Sequence, residues 1–194
     1  NIQVPNNRPE MLRSPEKEQW LAAERRELEE IAKKETWRKV KRPKKKPITC
    51  RWVYKLKPPT TLNPNPIFKA RLVAHGYKQK ATIDYSSTFA QVATLKAFRI
   101  MMWLSVFFGW RATQMDVKNA FLAGTLDKEI YMSPPPGYEE EIGTVLLVKS
   151  LYGLHQAPRI WYNTLIQKLH SLGFKELISD SCVFTHHTEK CYML

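Results

Sequence analysis

The chain has 194 residues, 43% of them hydrophobic and 25% charged, which is enough apolar material for the core of one domain and excludes a disordered tail. Its 31 Lys and Arg against 18 Asp and Glu leave a formal charge of +13, so the expected partner is a polyanion, most simply nucleic acid.

Residues 1–14 carry Pro5, Pro9 and several Asn and Arg without an apolar period, and read as a linker. Ser14 followed by Pro15 reads as an N-cap with proline at the first helical position. From there to about Lys34, Trp20, Leu21, Leu28, Ile31 and Ala32 predict one amphipathic helix. Between Lys33 and Lys57 twelve basic residues stand against one acid, Glu35, a block suited to a phosphate backbone. Taken alone, the run Lys41 to Pro47 reads equally as a solvated face or a nuclear-localisation-like signal.

Ile48 to Leu56 and Phe68 to Ala74 predict two strands joined by the Pro58 to Pro66 loop, together a basic hairpin. Around Ile100 to Trp110 the chain is strongly apolar but well short of the ~20 residues that span a bilayer, and Leu95 to Phe108 is expected to be a buried helix. A short strand at Ala112 to Met115 and a turn or helix start at Asn119 to Leu122 come next. Ile130 to Met132 and Val145 to Val148 predict short strands around the break at Pro134 to Gly137. From Arg159, Trp161, Leu165, Leu169 and Leu172 repeat at helical spacing and Gly173 ends the helix, with two strands expected at Cys182 to Phe184 and Cys191 to Leu194. Strands and helices interleave without a regular β-α-β repeat, so the class is α+β, an antiparallel sheet flanked by helices.

Cys50, Cys182 and Cys191 lack close pair spacing and no secretory signal precedes them, which favours a reduced intracellular setting without disulfides. Cys182, His186, His187 and Cys191 are spaced as a compact zinc site could be, although two strands are expected in the same region.

Three segments carry candidate chemistry. In Thr113 to Leu122, Asp116 ends a short apolar stretch, a place where a carboxylate can hold a hard divalent cation or simply cap a turn. In Lys149 to Tyr162, Gly153 permits close backbone approach, Tyr152 offers a stacking face, and Pro158 launches a helix. In Phe68 to Gly76, Lys69 and Arg71 alternate with apolar residues and so project from one strand face, an arrangement that suits a triphosphate or a plain solvated face.

The order of Trp52-Val53-Tyr54-Lys55, Lys69 to Ala74, Asp84-Tyr85, Thr88-Phe89, Met115 to Leu122, Tyr131-Met132, Pro135 to Tyr138 and Ser150 to Tyr162 resembles the reverse transcriptase of copia-type retrotransposons, over about Pro15 to Leu194. The resemblance implies a right-hand polymerase, with fingers at about 15–110 and part of the palm at about 111–194. It makes Asp116 the first catalytic aspartate and the Val117 carbonyl a second metal ligand. Lys69 and Arg71 would grip the triphosphate, with Ala120, Phe121, Tyr152, Gly153, Gln156 and Pro158 around the nucleotide and Phe121 selecting against a 2′-hydroxyl. Lys44, Lys45, Lys46 and Lys55 would touch nucleic acid. The mechanism implied is phosphoryl transfer with two Mg²⁺ ions. The partners implied are an RNA or DNA template-primer, a dNTP and the rest of a polyprotein, in a cytoplasmic particle or the nucleus, with no membrane.

The family carries its remaining carboxylates on an aromatic-x-Asp-Asp turn beyond the Cys182 to Leu194 region, so this chain alone is expected to lack polymerase activity. Ala81 and Thr82 replace a Gly-containing approach to Ile83, Gln91 stands where the family has proline, and the loop Pro58 to Pro66 lacks an acidic-Gly turn. The rival readings are a non-catalytic nucleic-acid-binding remnant and an interaction or scaffold module.

Overall fold

The computed structural model describes residues 2–61, 64–186 and 191–193. They form a mixed α and β structure of small antiparallel sheets and helices.

Two helices lead the chain, α1 (Arg8–Arg13) and α2 (Lys17–Lys33). Asn7 caps α1 by accepting from the Glu10 amide, and a proline occupies the first turn. The region expected to be linker is therefore partly helical. Ser14 closes α1 rather than capping the next helix, and α2 starts at Lys17. The expected cap at Ser14 and helix start at Pro15 are therefore not observed: Glu16 precedes α2 without a side-chain cap, and Pro15 lies between the two helices.

After a short strand β1 (Trp37–Lys39) comes the hairpin of β2 (Cys50–Lys57) and β3 (Ile67–Ala74), paired antiparallel from Cys50 with Ala74 to Lys57 with Ile67. Alternation sorts its faces. Cys50, Trp52, Tyr54, Ala70, Leu72 and Ala74 are buried, whereas Arg51, Lys55, Lys57 and Arg71 are exposed on the other side. Trp20 of α2 meets the inner face, edge-on to Tyr54 and Phe68 at 5.4 and 4.7 Å between ring centres. Trp20, Ile31 and Leu72 are fully buried, each contributing about 1.5–3 kcal/mol of hydrophobic stabilisation.

Within this interface Glu24 is fully buried, accepting from Tyr54 Oη at 2.6 Å and pairing with Arg8 Nε at 3.3 Å. The Arg8 guanidinium lies 5.6 Å from the Tyr138 ring centre, so α1, α2, β2 and the Pro134 to Tyr138 break meet at one charge.

A second sheet orders β1, β5 (Val145–Lys149) and β4 (Thr125–Met132), all antiparallel. A four-residue helix α4 (Glu139–Ile142) turns the chain between β4 and β5. Helix α5 (Ala157–Ser171) begins with proline in its first turn, and Gly173 comes after it at φ +87°. The last sheet orders β6 (Lys175–Glu176), β7 (Phe184–His186) and β8 (Cys191–Met193). The strand expected at Cys182 to Phe184 thus lies two residues later. Of the four residues weighed for zinc, His187 falls outside the described residues.

Two expectations fail. Helix α3 (Leu95–Phe107) forms with Thr94 as its cap, but none of its residues is buried, and Trp103 is 61% exposed. Its apolar composition is that of a buried helix, yet among the described residues no element covers it. The strand expected at Ala112 to Met115 is also absent, and residues 111–117 are irregular. A strand needs a neighbour to take its hydrogen bonds, and among the described residues none pairs with this stretch.

Thr82 adopts φ +67°, the left-handed region that a β-branched residue occupies only under strain, at the place where the resemblance expects glycine nearby. Thr82→Gly is expected to raise the urea midpoint by the equivalent of about 1 kcal/mol, the relieved strain exceeding the added unfolded-state entropy. Arg8→Ala leaves Glu24 buried without its cation and is expected to cost roughly 3 kcal/mol, read as a lower midpoint at unchanged m-value.

Candidate functional site

The largest concentration of sequence-predicted residues falls on a cleft of about 480 Å³ between α2, β3, the loop 116–119 and the turn at Tyr152. Asp116, Val117, Ala120, Phe121, Lys69, Arg71 and Tyr152 all line it. They arrive from three parts of the chain.

Strand alternation brings Lys69 and Arg71 to one face of β3, with Lys55 opposite Lys69 in register. Partial burial pulls the Lys69 ammonium below its ordinary range, and the neighbouring Lys57 and Arg71 add to the effect. Tyr152 is placed by the backbone: the Ala74 amide donates to its carbonyl at 2.8 Å. The next residue, Gly153, sits at φ +89°, and a Cβ there would lie 2.1 Å from the Ala74 carbonyl oxygen, so only glycine permits this approach. Above this joint the Arg71 guanidinium lies 5.1 Å from the Tyr152 ring centre. Phe121 stands edge-on to the same ring at 5.2 Å, carried by a 3-10 turn at Ala120–Ala123.

Asp116 and Val117 are exposed and reach the cleft from irregular backbone. The next two residues are better held. Lys118 Nζ donates to Glu30 Oε1 at 2.9 Å, and Asn119 Nδ2 to Glu30 Oε2 at 3.2 Å. The Lys118 ammonium holds the Glu30 carboxyl below the usual carboxylate range.

The remaining predicted residues lie elsewhere. Gly153 is exposed and acts on the backbone joint just described. Gln156 is buried, donating to the Asp84 carbonyl at 3.1 Å and accepting from Gln79 at 3.0 Å, and lines a second cleft beside Arg159 and Asp127. Pro158 is exposed in the first turn of α5. Lys44, Lys45 and Lys46 are exposed in the loop before β2, Lys44 lying 3.5 Å from Glu129, and Lys55 is on the outer face of β2.

Sequence reasoning missed the contribution of α2. Arg26, Glu27, Glu29 and Glu30 also line the cleft. Glu27 and Glu30 are three residues apart and so share a helical face, but on a helix this rich in charge that spacing singled out nothing. Glu27 accepts from the Leu72 amide at 3.4 Å, and burial pushes its carboxyl above the ordinary value despite the nearby Arg71.

As a metal site the donor set is partial. Among the described residues no group of three or more His, Cys, Asp or Glu side chains could hold an ion. Asp116 and the Val117 carbonyl would provide only part of the oxygen ligation that two octahedral magnesium ions need. Glu30 is already engaged by Lys118 and Asn119. Among the described residues no helix is long and apolar enough to cross a membrane.

Comparison with known proteins gives the family of the chain. Residues 34–194 match the model of the reverse transcriptase (RNA-dependent DNA polymerase) family. The chain is 39% identical over 184 residues to the retrovirus-related Pol polyprotein from transposon TNT 1-94 of Nicotiana tabacum, covering 93% of this chain and 14% of that protein. It is 42% identical over 142 residues to the Pol polyprotein from transposon RE2 of Arabidopsis thaliana, covering 71% and 10%. With the truncated transposon Ty1-A Gag-Pol polyprotein of Saccharomyces cerevisiae the identity is 32% over 180 residues, covering 87% and 14%. The chain belongs to the reverse transcriptase family and, within it, to the reverse transcriptase domain of copia-type retrotransposon Pol polyproteins. It spans only 10–14% of the length of these relatives. No solved structure matches it.

The raised Glu27 carboxyl gives a pH test. Its charged form is the costly one in the folded state, so the penalty is present above the folded value and vanishes below the unfolded value of 4.5. Glu27→Gln, which keeps an acceptor for the Leu72 amide, is expected to melt no lower than the native chain at pH 7. The difference between the two should close by about pH 4, monitored by thermal unfolding across that range.

Proposed function

We propose that the cleft between α2, β3 and the Phe121 turn is the deoxynucleotide site of an RNA-directed DNA polymerase, with fingers over about 15–110 and part of the palm over about 111–194. The observation that carries this reading is that Asp116 opens onto the same cleft as Lys69, Arg71, Phe121 and Tyr152. A nucleoside triphosphate needs cations for its phosphates, a flat surface for its sugar and base, and a carboxylate near its α-phosphate.

In this reading Lys69 and Arg71 receive the triphosphate, Arg71 able to contact it through two donors. Stacking on Tyr152 orients the guanidinium before the nucleotide arrives, which lowers the ordering cost of binding. Phe121 braces against Tyr152 and forms the floor beneath the sugar, where its bulk disfavours a 2′-hydroxyl. Magnesium would neutralise triphosphate charge when bound, with Asp116 and the Val117 carbonyl as part of its ligand set. The template-primer would lie along the basic outer face of the hairpin, near Lys55 and the loop Lys44 to Lys46, with the rest of a Pol polyprotein as the covalent context.

The test is primer extension with Mg²⁺ and dNTPs, run on this chain and on the chain carried through a downstream Asp-Asp turn. The longer chain is expected to extend a primer, and Asp116→Ala to abolish it. Lys69→Ala with Arg71→Ala should weaken dNTP binding by roughly tenfold or more, since each removes a charge-assisted hydrogen bond. No extension by the longer chain, with nucleic-acid binding retained, would replace this reading by that of a non-catalytic binding remnant.

A further inference from the structure

The family match begins at residue 34, yet five residues of α2, which ends at Lys33, line the cleft. One of them does more than line it. Residues 111–117 are irregular, so sheet hydrogen bonds do not determine where Asp116 points. The chain is instead held from α2 just beyond that stretch: the two oxygens of Glu30 receive separate donors from two consecutive residues, Lys118 Nζ at 2.9 Å and Asn119 Nδ2 at 3.2 Å. Asn119 is also the left-handed residue, φ +55° and ψ +41°, from which the 3-10 turn bearing Phe121 departs. A chain that reverses its backbone sense at one residue is set in direction by whatever fixes that residue, and here the fixing group is a carboxylate on another element.

We propose that Glu30 is a positioning residue of the nucleotide site, acting through Lys118 and Asn119 to aim both Asp116 and Phe121 at the groups on β3. The proposal rests on reading the cleft as that site, and it extends the functional unit upstream of the matched module into α2. It assigns Glu30 no contact with nucleotide or metal.

An ordinary surface ion pair would explain the Lys118 contact alone, and Lys118 is 77% exposed. It does not explain why the second oxygen takes the side chain of the adjacent residue, the one whose backbone is left-handed. Nor does it explain the placement of Glu30 on the helix face that carries Glu27 and Arg26 into the same cleft. Because Glu30 and Lys118 are both partly exposed, the contribution is local: loop direction rather than global stability.

The test reads the loop directly. Amide hydrogen exchange is measured on this chain for the turn 120–123, where the Leu122 amide donates to the Asn119 carbonyl at 2.9 Å, in the native sequence, in Glu30→Ala, and in the charge exchange of Glu30→Lys with Lys118→Glu. Glu30→Ala is expected to accelerate exchange in that segment by roughly tenfold, the equivalent of one charged hydrogen bond, with the hairpin amides and Tm nearly unmoved. The charge exchange should recover part of the protection. In the longer, extending chain, Glu30→Ala should lower kcat for nucleotide incorporation by about tenfold while KM for template-primer stays near the native value. Unchanged exchange in Glu30→Ala overturns the proposal, and so does acceleration spread over the whole chain with a fall in Tm, which marks a merely structural residue. If the native longer chain does not extend a primer, the polymerase reading falls, while the exchange measurement still decides whether Glu30 holds the loop.

Discussion

The cleft exists because the Tyr152-Gly153 turn lies directly against the end of the β2–β3 hairpin. The Ala74 amide donates to the Tyr152 carbonyl, and the missing Cβ of Gly153 lets the two backbones meet. Gly76 repeats the constraint from the other side, since a Cβ there would lie 2.0 Å from the Gly153 carbonyl oxygen. With two glycines in mutual contact, the hairpin and the turn come close enough for Arg71 to reach the Tyr152 ring and for that ring to reach Phe121. A side chain at either position would push the cations on β3 away from the aromatic floor.

Helix α2 completes the wall, and the buried Glu24 determines how it sits. A carboxylate with no solvent exposure is tolerated only where its oxygens are engaged, and Tyr54 and Arg8 engage them from a strand and from α1. Sliding α2 along β3 would break those bonds at once, whereas the aromatic packing of Trp20 alone would allow adjustment. Polar specificity at Glu24 thus fixes the register that carries Glu27 and Glu30, one and nearly two turns further along, to the cleft.

Where a local pattern and its partner lie close in the chain, the sequence is legible. The hairpin, with Lys69 and Arg71 on one face, comes from strand alternation and a proline-rich connection, and α5 from its proline start and glycine end. Membership of the family came from ordered motifs rather than from any one residue. Reading failed where the outcome depended on a distant partner. The apolar run 95–107 looks like a buried helix in any window, but burial is a property of what lies against it. The stretch Ala112 to Met115 has strand composition and, among the described residues, no neighbouring strand. Glu30 was invisible for the same reason: its significance lies in Lys118 and Asn119, far along the chain, and not in its own surroundings in sequence. Gln156 and Gly153, which the resemblance places around a nucleotide, sit in a buried amide network and at the backbone joint beside the cleft.

The charge balance of the cleft arises from these placements. Lys69, Arg71, Arg26 and Lys118 face it together with Asp116, Glu27, Glu29 and Glu30, a near-neutral count that would not by itself attract a polyanion. The count misleads because the charges are not equally free. Glu30 is tied to Lys118, and burial biases Glu27 toward its neutral form. Arg26 is turned to the Phe68 carbonyl, at 3.2 Å. Partial burial, with the repulsion of Lys57 and Arg71 added, draws the Lys69 ammonium below its ordinary range. The local field at Lys69 and Arg71 is thus more positive than the charge count of the cleft implies.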